Sequence, residues 1–288
     1  MRIGAHALVW TGAFDRPGIE RAVTGAASAG FDHIEFPVFE PDLWEVDATR
    51  ALLEDHGLTA AVSLGLPEDR NISSDDPDVV ARGEQHLLRV LDVVAGIGAS
   101  HLVGVIYAPL KKQLRPATAG EVAHSQAALA RVSERAAQSR IEVAVEVVNR
   151  YEASLFNTAK AALTYLDGVD GDVGLHLDTY HMNIEEAGLF EPVVTAGSRL
   201  RYVHIGESHR GYLGTGTVDF GSFFRALRVT GFDGPVVFES FSSAVVSAEL
   251  TGSLGIWRNL WEDSDDLAAH ANRFIRDALH AVQTIDLH

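Results

Sequence analysis

Val173-Gly-Leu-His-Leu-Asp178 is a short apolar run that closes on a carboxylate. Its length and composition read as a buried strand with a charge at its tip. The pattern recurs in Ile141-Glu-Val-Ala-Val-Glu146, Leu200-Arg-Tyr-Val-His204 and Pro235-Val-Val-Phe-Glu239. A charge at the end of a buried strand is costly unless something pairs it, and a divalent cation pairs it well. Glu146, Asp178, His204 and Glu239 lie far apart in the chain. Only a fold that gathers strand ends in one place could unite them. Three carboxylates and one imidazole suit Mn²⁺, or alternatively Mg²⁺ or Co²⁺, better than a thiolate-seeking ion.

Outward from these runs, strand and helix signals alternate along the whole chain. Strands are expected at 3–8, 33–36, 59–63, 101–105, 142–146, 173–178, 201–205 and 235–239. Helical periodicity fills 19–29, 47–56, 79–97, 118–139, 158–166 and 220–230. Gly30, Gly57, Gly98 and Gly231 each follow a helix, where glycine supplies the left-handed cap before the chain re-enters a sheet. Eight strands spaced by about 36 residues predict a single (β/α)₈ TIM barrel over 1–288, α/β in class, with a C-terminal helical extension. A doubly wound open sheet is the runner-up. No Gly-x-Gly-x-x-Gly follows the first strand, which weakens a dinucleotide reading. In a barrel, the active site lies at the C-terminal strand ends, so the four charged tips would ring one mouth at strands five to eight.

Composition narrows the classes. The 288 residues show no linker, charge block or low-complexity stretch that would divide them. There is no cysteine, hence no disulfide and no thiolate metal site. The start lacks the apolar core of a signal peptide, and no apolar run reaches membrane-spanning length. A cytoplasmic protein without a membrane partner is expected. Lys and Arg number 23 against 40 Asp and Glu, a net charge of −17, which lowers the expectation of a nucleic-acid partner.

The segments Glu146-Val-Val-Asn-Arg-Tyr-Glu152, Leu177-Asp-Thr-Tyr-His-Met-Asn183, Val203-His-Ile-Gly-Glu-Ser-His-Arg210 and Phe238-Glu-Ser240 are more specific than any single residue. With Ile256-Trp-Arg-Asn-Leu-Trp261, they resemble the ketose 3-epimerases of the D-tagatose/D-allulose (D-psicose) type, within the xylose isomerase-like barrels. The resemblance runs along nearly the whole chain. It implies metal binding by Glu146, Asp178, His204 and Glu239. It also implies substrate contacts near the carbonyl end from Glu152, His181 and Arg210, and homodimers or homotetramers.

Epimerisation at C3 of a 2-ketose removes a proton beside a carbonyl and returns it to the other face. Two carboxylates on opposite faces can do this as base and acid. Glu146 and Glu239, from strands five and eight, are the expected catalytic pair. His181 and Arg210 are expected to stabilise the developing oxyanion. The glycine-rich run Gly211-Tyr-Leu-Gly-Thr-Gly216 after Arg210 allows close backbone approach to a ligand.

Residues of the earlier strands are further pocket candidates. They are His6 with Trp10 nearby, Glu35 and Phe36, Ser63 with Gly65, and Tyr107. His6 stands where members of the resembled family often carry a larger aromatic. His176 reads as a core histidine. Glu207 reads equally as a partner of the site or as an exposed loop acid. Lys111, Lys112 and Arg115 form the one basic run and could grip a substrate phosphate, which keeps a ketose-phosphate epimerase open. An aldose–ketose isomerase on the same site is a further alternative. A metal-dependent endonuclease of the related barrels and a non-catalytic metal-binding barrel are more distant ones. Apolar residues at 244–261 are expected to cover the pocket or form a subunit contact.

Overall fold

Eight parallel strands hydrogen-bond in chain order and close on themselves. The structure is a computed structural model and describes residues 1–284, so the last four residues of the expected 1–288 span lie outside the described residues. The strands are β1 Ile3–His6, β2 His33–Pro37, β3 Thr59–Leu66, β4 His101–Pro109, β5 Glu142–Val147, β6 Val173–Asp178, β7 Leu200–Ile205 and β8 Val236–Phe238. The helices are α1 Arg16–Ser28, α2 Val46–His56, α3 Pro77–Gly96, α4 Ala119–Gln138, α5 Ala159–Leu166, α6 Thr179–Glu185, α7 Glu191–Ala196, α8 Phe220–Thr230, α9 Ala248–Leu254 and α10 Ser264–Gln283. This is the expected (β/α)₈ barrel.

Local chemistry explains the boundaries. Thr118 and Glu121 form a reciprocal capping box that starts α4. Gly57 and Gly231, at φ 65° and 68°, end α2 and α8 in the left-handed conformation. Strand β1 stops at His6, short of the expected 3–8, because the Leu8 N–H turns back to His6 Nδ1 at 3.2 Å. Strands β3 and β4 run beyond their expected ends because they continue to pair, with a register shift after Gly65.

Two of the buried apolar regions build the barrel. The larger lies between the strands and the helices, with Phe36, Leu91, Leu129, Phe223, Phe224 and Ile275 fully buried. The smaller fills the barrel axis with Ala61, Val103, Ala144, Tyr202 and Val237. These inward positions alternate along each strand. The same period carries Ala144 to Glu146, Tyr202 to His204 and Val237 to Glu239. The expected C-terminal helix is α10. It packs on α8, β1 and β8 and completes the outer ring. The Trp10 indole N–H donates to Asp265 Oδ1 at 2.8 Å, and the Asn272 amide donates to the Ala29 carbonyl at 2.7 Å, tying this helix to the first βα unit.

Gly104 in β4 adopts φ 105°, and a Cβ there would stand 2.4 Å from the Leu64 carbonyl oxygen. Both the conformation and the contact exclude a side chain. Gly104→Ala is expected to destabilise the protein by about 1–3 kcal/mol, read as a lowered midpoint in denaturant unfolding. An unchanged midpoint would contradict this packing.

Candidate active site

The C-terminal ends of β5 to β8 bring Glu146, Asp178, His204 and Glu239 together, all buried, with one donor atom of each within 4.8 Å of the others. Register does this. Asp178 pairs with His204 across β6 and β7. The Glu239 N–H donates to the Ile205 carbonyl at 3.1 Å, extending the ladder one residue past β8. His204 Nδ1 stands 3.8 Å from Glu146 Oε1 and 3.5 Å from Glu239 Oε2. Asp178 is also the N-cap of α6. Its Oδ1 accepts the Tyr180 N–H at 2.8 Å, and Oδ2 is left for the site.

The donor set fits a divalent cation. Asp178 Oδ2, His204 Nδ1 and Glu239 Oε2 are buried and make no hydrogen bond. Arg210 Nη1 is 2.8 Å from both oxygens, an ion-pair contact without hydrogen-bond geometry. Buried orphaned donor atoms facing one point are what a metal would satisfy. A second possible group, Glu146, His176 and His204, shares two of these residues. We favour the four-residue group because it has three carboxylates to neutralise the ion. His176 lies beneath it, its ring 4.1 Å from that of His204. It is a core histidine, as the sequence suggested, and burial pushes its pKa well down.

The two glutamates differ in proton affinity. Burial pushes the Glu146 carboxyl up, opposed by His204 and reinforced by Glu239 and Asp178. Burial acts on Glu239 too, but Arg210 and His204 outweigh it and hold that carboxyl well below the usual range. Environments that push paired carboxyls apart mark acid and base positions.

His181 reaches the cluster from α6. Its Nδ1 accepts from the Asn149 backbone N–H at 3.2 Å and lies 2.8 Å from the Asn149 side-chain amide nitrogen. These donors are closer than Arg210 Nη2, 3.5 Å from Nε2, and so leave the hydrogen on Nε2, which faces the cavity 3.5 Å from Glu146 Oε1. The same Asn149 amide donates to Glu152 Oε1 at 2.8 Å. Asn149 was not singled out from sequence, although it lies inside the Glu146–Glu152 motif. Arg210 adopts φ 62°, rare for a residue with a side chain, and its guanidinium sits 4.0 Å over the Tyr180 ring. Ser240 Oγ donates to the Arg210 carbonyl.

A cavity of about 540 Å³ opens above the cluster. His6, Ser63, Glu152, His181 and Arg210 line it, as expected. His6 Nε2 and Ser63 Oγ are 3.3 Å apart. Tyr107 differs from expectation. It lies inside the lengthened β4, fully buried, stacked on Phe156 at 4.2 Å, and donates its hydroxyl to the Glu146 carbonyl at 3.0 Å. It braces Glu146 from behind rather than touching the cavity. Glu207 is a buried loop organiser that accepts the N–H groups of Ser208, Gly214 and Val218. The basic run stays outside the cavity. Lys111 pairs with Glu68 at 3.1 Å, Lys112 lies 5.7 Å over Tyr151, and Arg115 grips Glu121. Leu250, Leu254, Ile256, Trp257 and Leu260 cover the opening, so the late apolar segment lines the pocket.

Residues 23–278 match the xylose isomerase-like TIM barrel family. The chain is 54% identical over its full length to the full length of a ketose 3-epimerase of Arthrobacter globiformis. It is 49% identical, over 96% of its length and 97% of the relative's, to an L-ribulose 3-epimerase of a Methylomonas species. A crystal structure of a D-allulose 3-epimerase from Methylomonas sp., in complex with D-allulose, superposes with a TM-score of 0.95 at 48% identity, covering 96% of this chain and 97% of that one.

Proton bookkeeping at the cluster is testable. Burial lowers the His204 pKa, but Glu35 and Glu239 on its two sides outweigh this and raise it well above the usual histidine value. A cation takes Nδ1 only after the proton leaves. Below the raised pKa the proton competes, so Mn²⁺ affinity should climb as pH rises from 6 to 8, with protons released on binding. Calorimetric titrations in buffers of different ionisation enthalpy read both quantities. Affinity that is flat over this range would contradict the arrangement.

Proposed function

The chain belongs to the ketose 3-epimerases of the xylose isomerase-like TIM barrel family and is a carbohydrate isomerase, and we propose that Glu146 and Glu239 carry the C3 proton transfer on a free 2-ketose of the L-ribulose, D-allulose/D-fructose or D-tagatose type. The observation that carries this reading is the pair itself. Two buried carboxylates, at the ends of β5 and β8, share one cluster of donor atoms.

The hydrogen at C3 is weakly acidic because it neighbours the C2 carbonyl. Its removal leaves a planar cis-enediolate, and protonation from the opposite face inverts the centre. A divalent ion held by Glu146, Asp178, His204 and Glu239 would supply Lewis acidity at the carbonyl end. Glu239, held as carboxylate by Arg210 and His204, accepts the proton in one direction. Glu146, from β5, returns a proton to C3 in that direction, and the roles exchange in reverse. His181 Nε2–H and Arg210 direct donors to the developing oxyanion from fixed positions. Glu152, steered by Asn149, orients a terminal hydroxyl. His6 and Ser63 form the wall along the carbon chain.

A free sugar is favoured over a phosphorylated one because Lys111 and Arg115 are paired elsewhere and none of the basic run lines the cavity. We take Mn²⁺ as the resident ion, with Mg²⁺ or Co²⁺ as alternatives, since oxygen-rich sites accept each. We also take the protein to be a homodimer or homotetramer, as the family resemblance implies. Light scattering that reads a monomer at micromolar concentration would remove it.

The deciding experiment incubates metal-stripped protein with L-ribulose, D-allulose, D-fructose or D-tagatose in D₂O, with and without Mn²⁺, and follows the products by NMR. The expected result is Mn²⁺-dependent C3 epimer with deuterium at C3. Aldose product labelled at C2 would instead show an aldose–ketose isomerase. Glu146→Gln and Glu239→Gln should each lose about 10²–10⁴-fold in kcat. Near-normal turnover in both variants, with metal bound, would overturn the assignment.

A further inference from the structure

Directly beneath the four-residue cluster, β2 turns Glu35 into the barrel, with no solvent exposure. Its Oε2 lies 2.7 Å from His204 Nε2, and its Oε1 lies 3.4 Å from His6 Nε2. Burial alone would raise this carboxyl, but the His204 and His6 rings outweigh it and hold Glu35 well below the usual carboxylate range. Glu35 lines no part of the cavity, so it cannot act on a substrate directly.

The hydrogen-bond partners fix where the ring hydrogens sit. The Leu8 N–H donates to His6 Nδ1 at 3.2 Å, so His6 carries a hydrogen on Nε2. That hydrogen faces Glu35 Oε1 and Ser63 Oγ. On His204, Glu35 Oε2 takes the Nε2 hydrogen. When the ring gives up its second proton, the lone pair therefore falls on Nδ1, the nitrogen that faces Glu146 and Glu239 and makes no hydrogen bond. Without Glu35 the preference would reverse. The two site carboxylates, at 3.8 Å and 3.5 Å, would draw a neutral ring's hydrogen to Nδ1. The ring would then offer the cluster a hydrogen in place of a lone pair.

We propose that Glu35 is a positioning residue that sets the tautomer and orientation of His204, so that Nδ1 is presented to the divalent ion. This rests on reading the four residues as a metal site. A carboxylate behind a ligand histidine makes it a better donor, and removing such a partner typically weakens metal binding about 10–100-fold.

The test compares Glu35→Gln and Glu35→Ala with the unaltered protein. Circular dichroism and thermal melting establish folding. Calorimetry measures the Mn²⁺ Kd, and the visible spectrum of the Co²⁺-loaded protein reports ligand geometry. Long-range ¹⁵N–¹H spectra of metal-free, ¹⁵N-histidine protein, recorded at a pH high enough for the His204 ring to be neutral, report its tautomer. Both variants should bind Mn²⁺ about 10–100-fold more weakly, with an altered Co²⁺ spectrum and a His204 hydrogen redistributed toward Nδ1. Folded variants with Kd within twofold, the same spectrum and the same tautomer would overturn the proposal. If Glu35→Ala does not fold, Glu35→Gln, of equal volume, decides. Should the unaltered protein bind no Mn²⁺, the metal-site reading fails. The tautomer measurement still decides whether Glu35 sets His204.

Discussion

Three carboxylates and an imidazole, buried and crowded within 4.8 Å, form an arrangement in which the acids repel one another. Burial disfavours every charge in it, and the acids disfavour one another. Much of the structure around the barrel mouth answers this one cost. Arg210 supplies positive charge at 2.8 Å from two of the acids, in a backbone conformation that is itself unfavourable. The Glu207 carboxylate gathers the N–H groups of the loop after it. A divalent cation would answer the same cost more completely, which is why the donor set and the reaction class point the same way.

The supporting groups are held by the scaffold rather than by loops alone. Asp178 is at once the last residue of β6 and the N-cap of α6, so one side chain joins strand, helix and site. Tyr107 reaches from β4 to the carbonyl of Glu146, bracing one catalytic candidate. Asn149 sets His181 and Glu152 together. Glu35 sets His204 and His6 from the opposite side of the barrel. Each ring nitrogen that faces the cavity is thus decided by what its other nitrogen meets. Preorganisation of this kind is what a proton-transfer site needs, since its donors must already point at charge that has yet to develop.

Much of this was legible in the chain. The strand tips Glu146, Asp178, His204 and Glu239 could be read because a buried strand shows itself locally, through a short branched apolar run. The helix ends at Gly57 and Gly231 could be read because a left-handed cap demands glycine. The short helices α6, α7 and α9 were missed, being too brief to show periodicity. Tyr107 was misplaced for a related reason. Its strand runs on to Pro109 only because β3 keeps pairing with it, and that partnership is not written in β4. The lysines after β4 looked available for a phosphate, yet Lys111 reaches Glu68, which lies 43 positions earlier in the chain.

By itself, then, the sequence determined the alternation of strands and helices, the barrel, the identity of the charged strand tips and the family motifs that surround them. These depend on short-range patterns of polarity, branching and glycine, which act over a few residues. Only the tertiary structure decided which ring nitrogen faces the site, where Arg210 rests, which side of β4 Tyr107 takes, and that Glu35 lies beneath His204. Those are set by register between strands that are distant in the chain: Glu35 and His204 are separated by 169 positions and meet at 2.7 Å. No local pattern encodes such a meeting, because it follows from closing the sheet, which fixes at one stroke what every inward side chain will face.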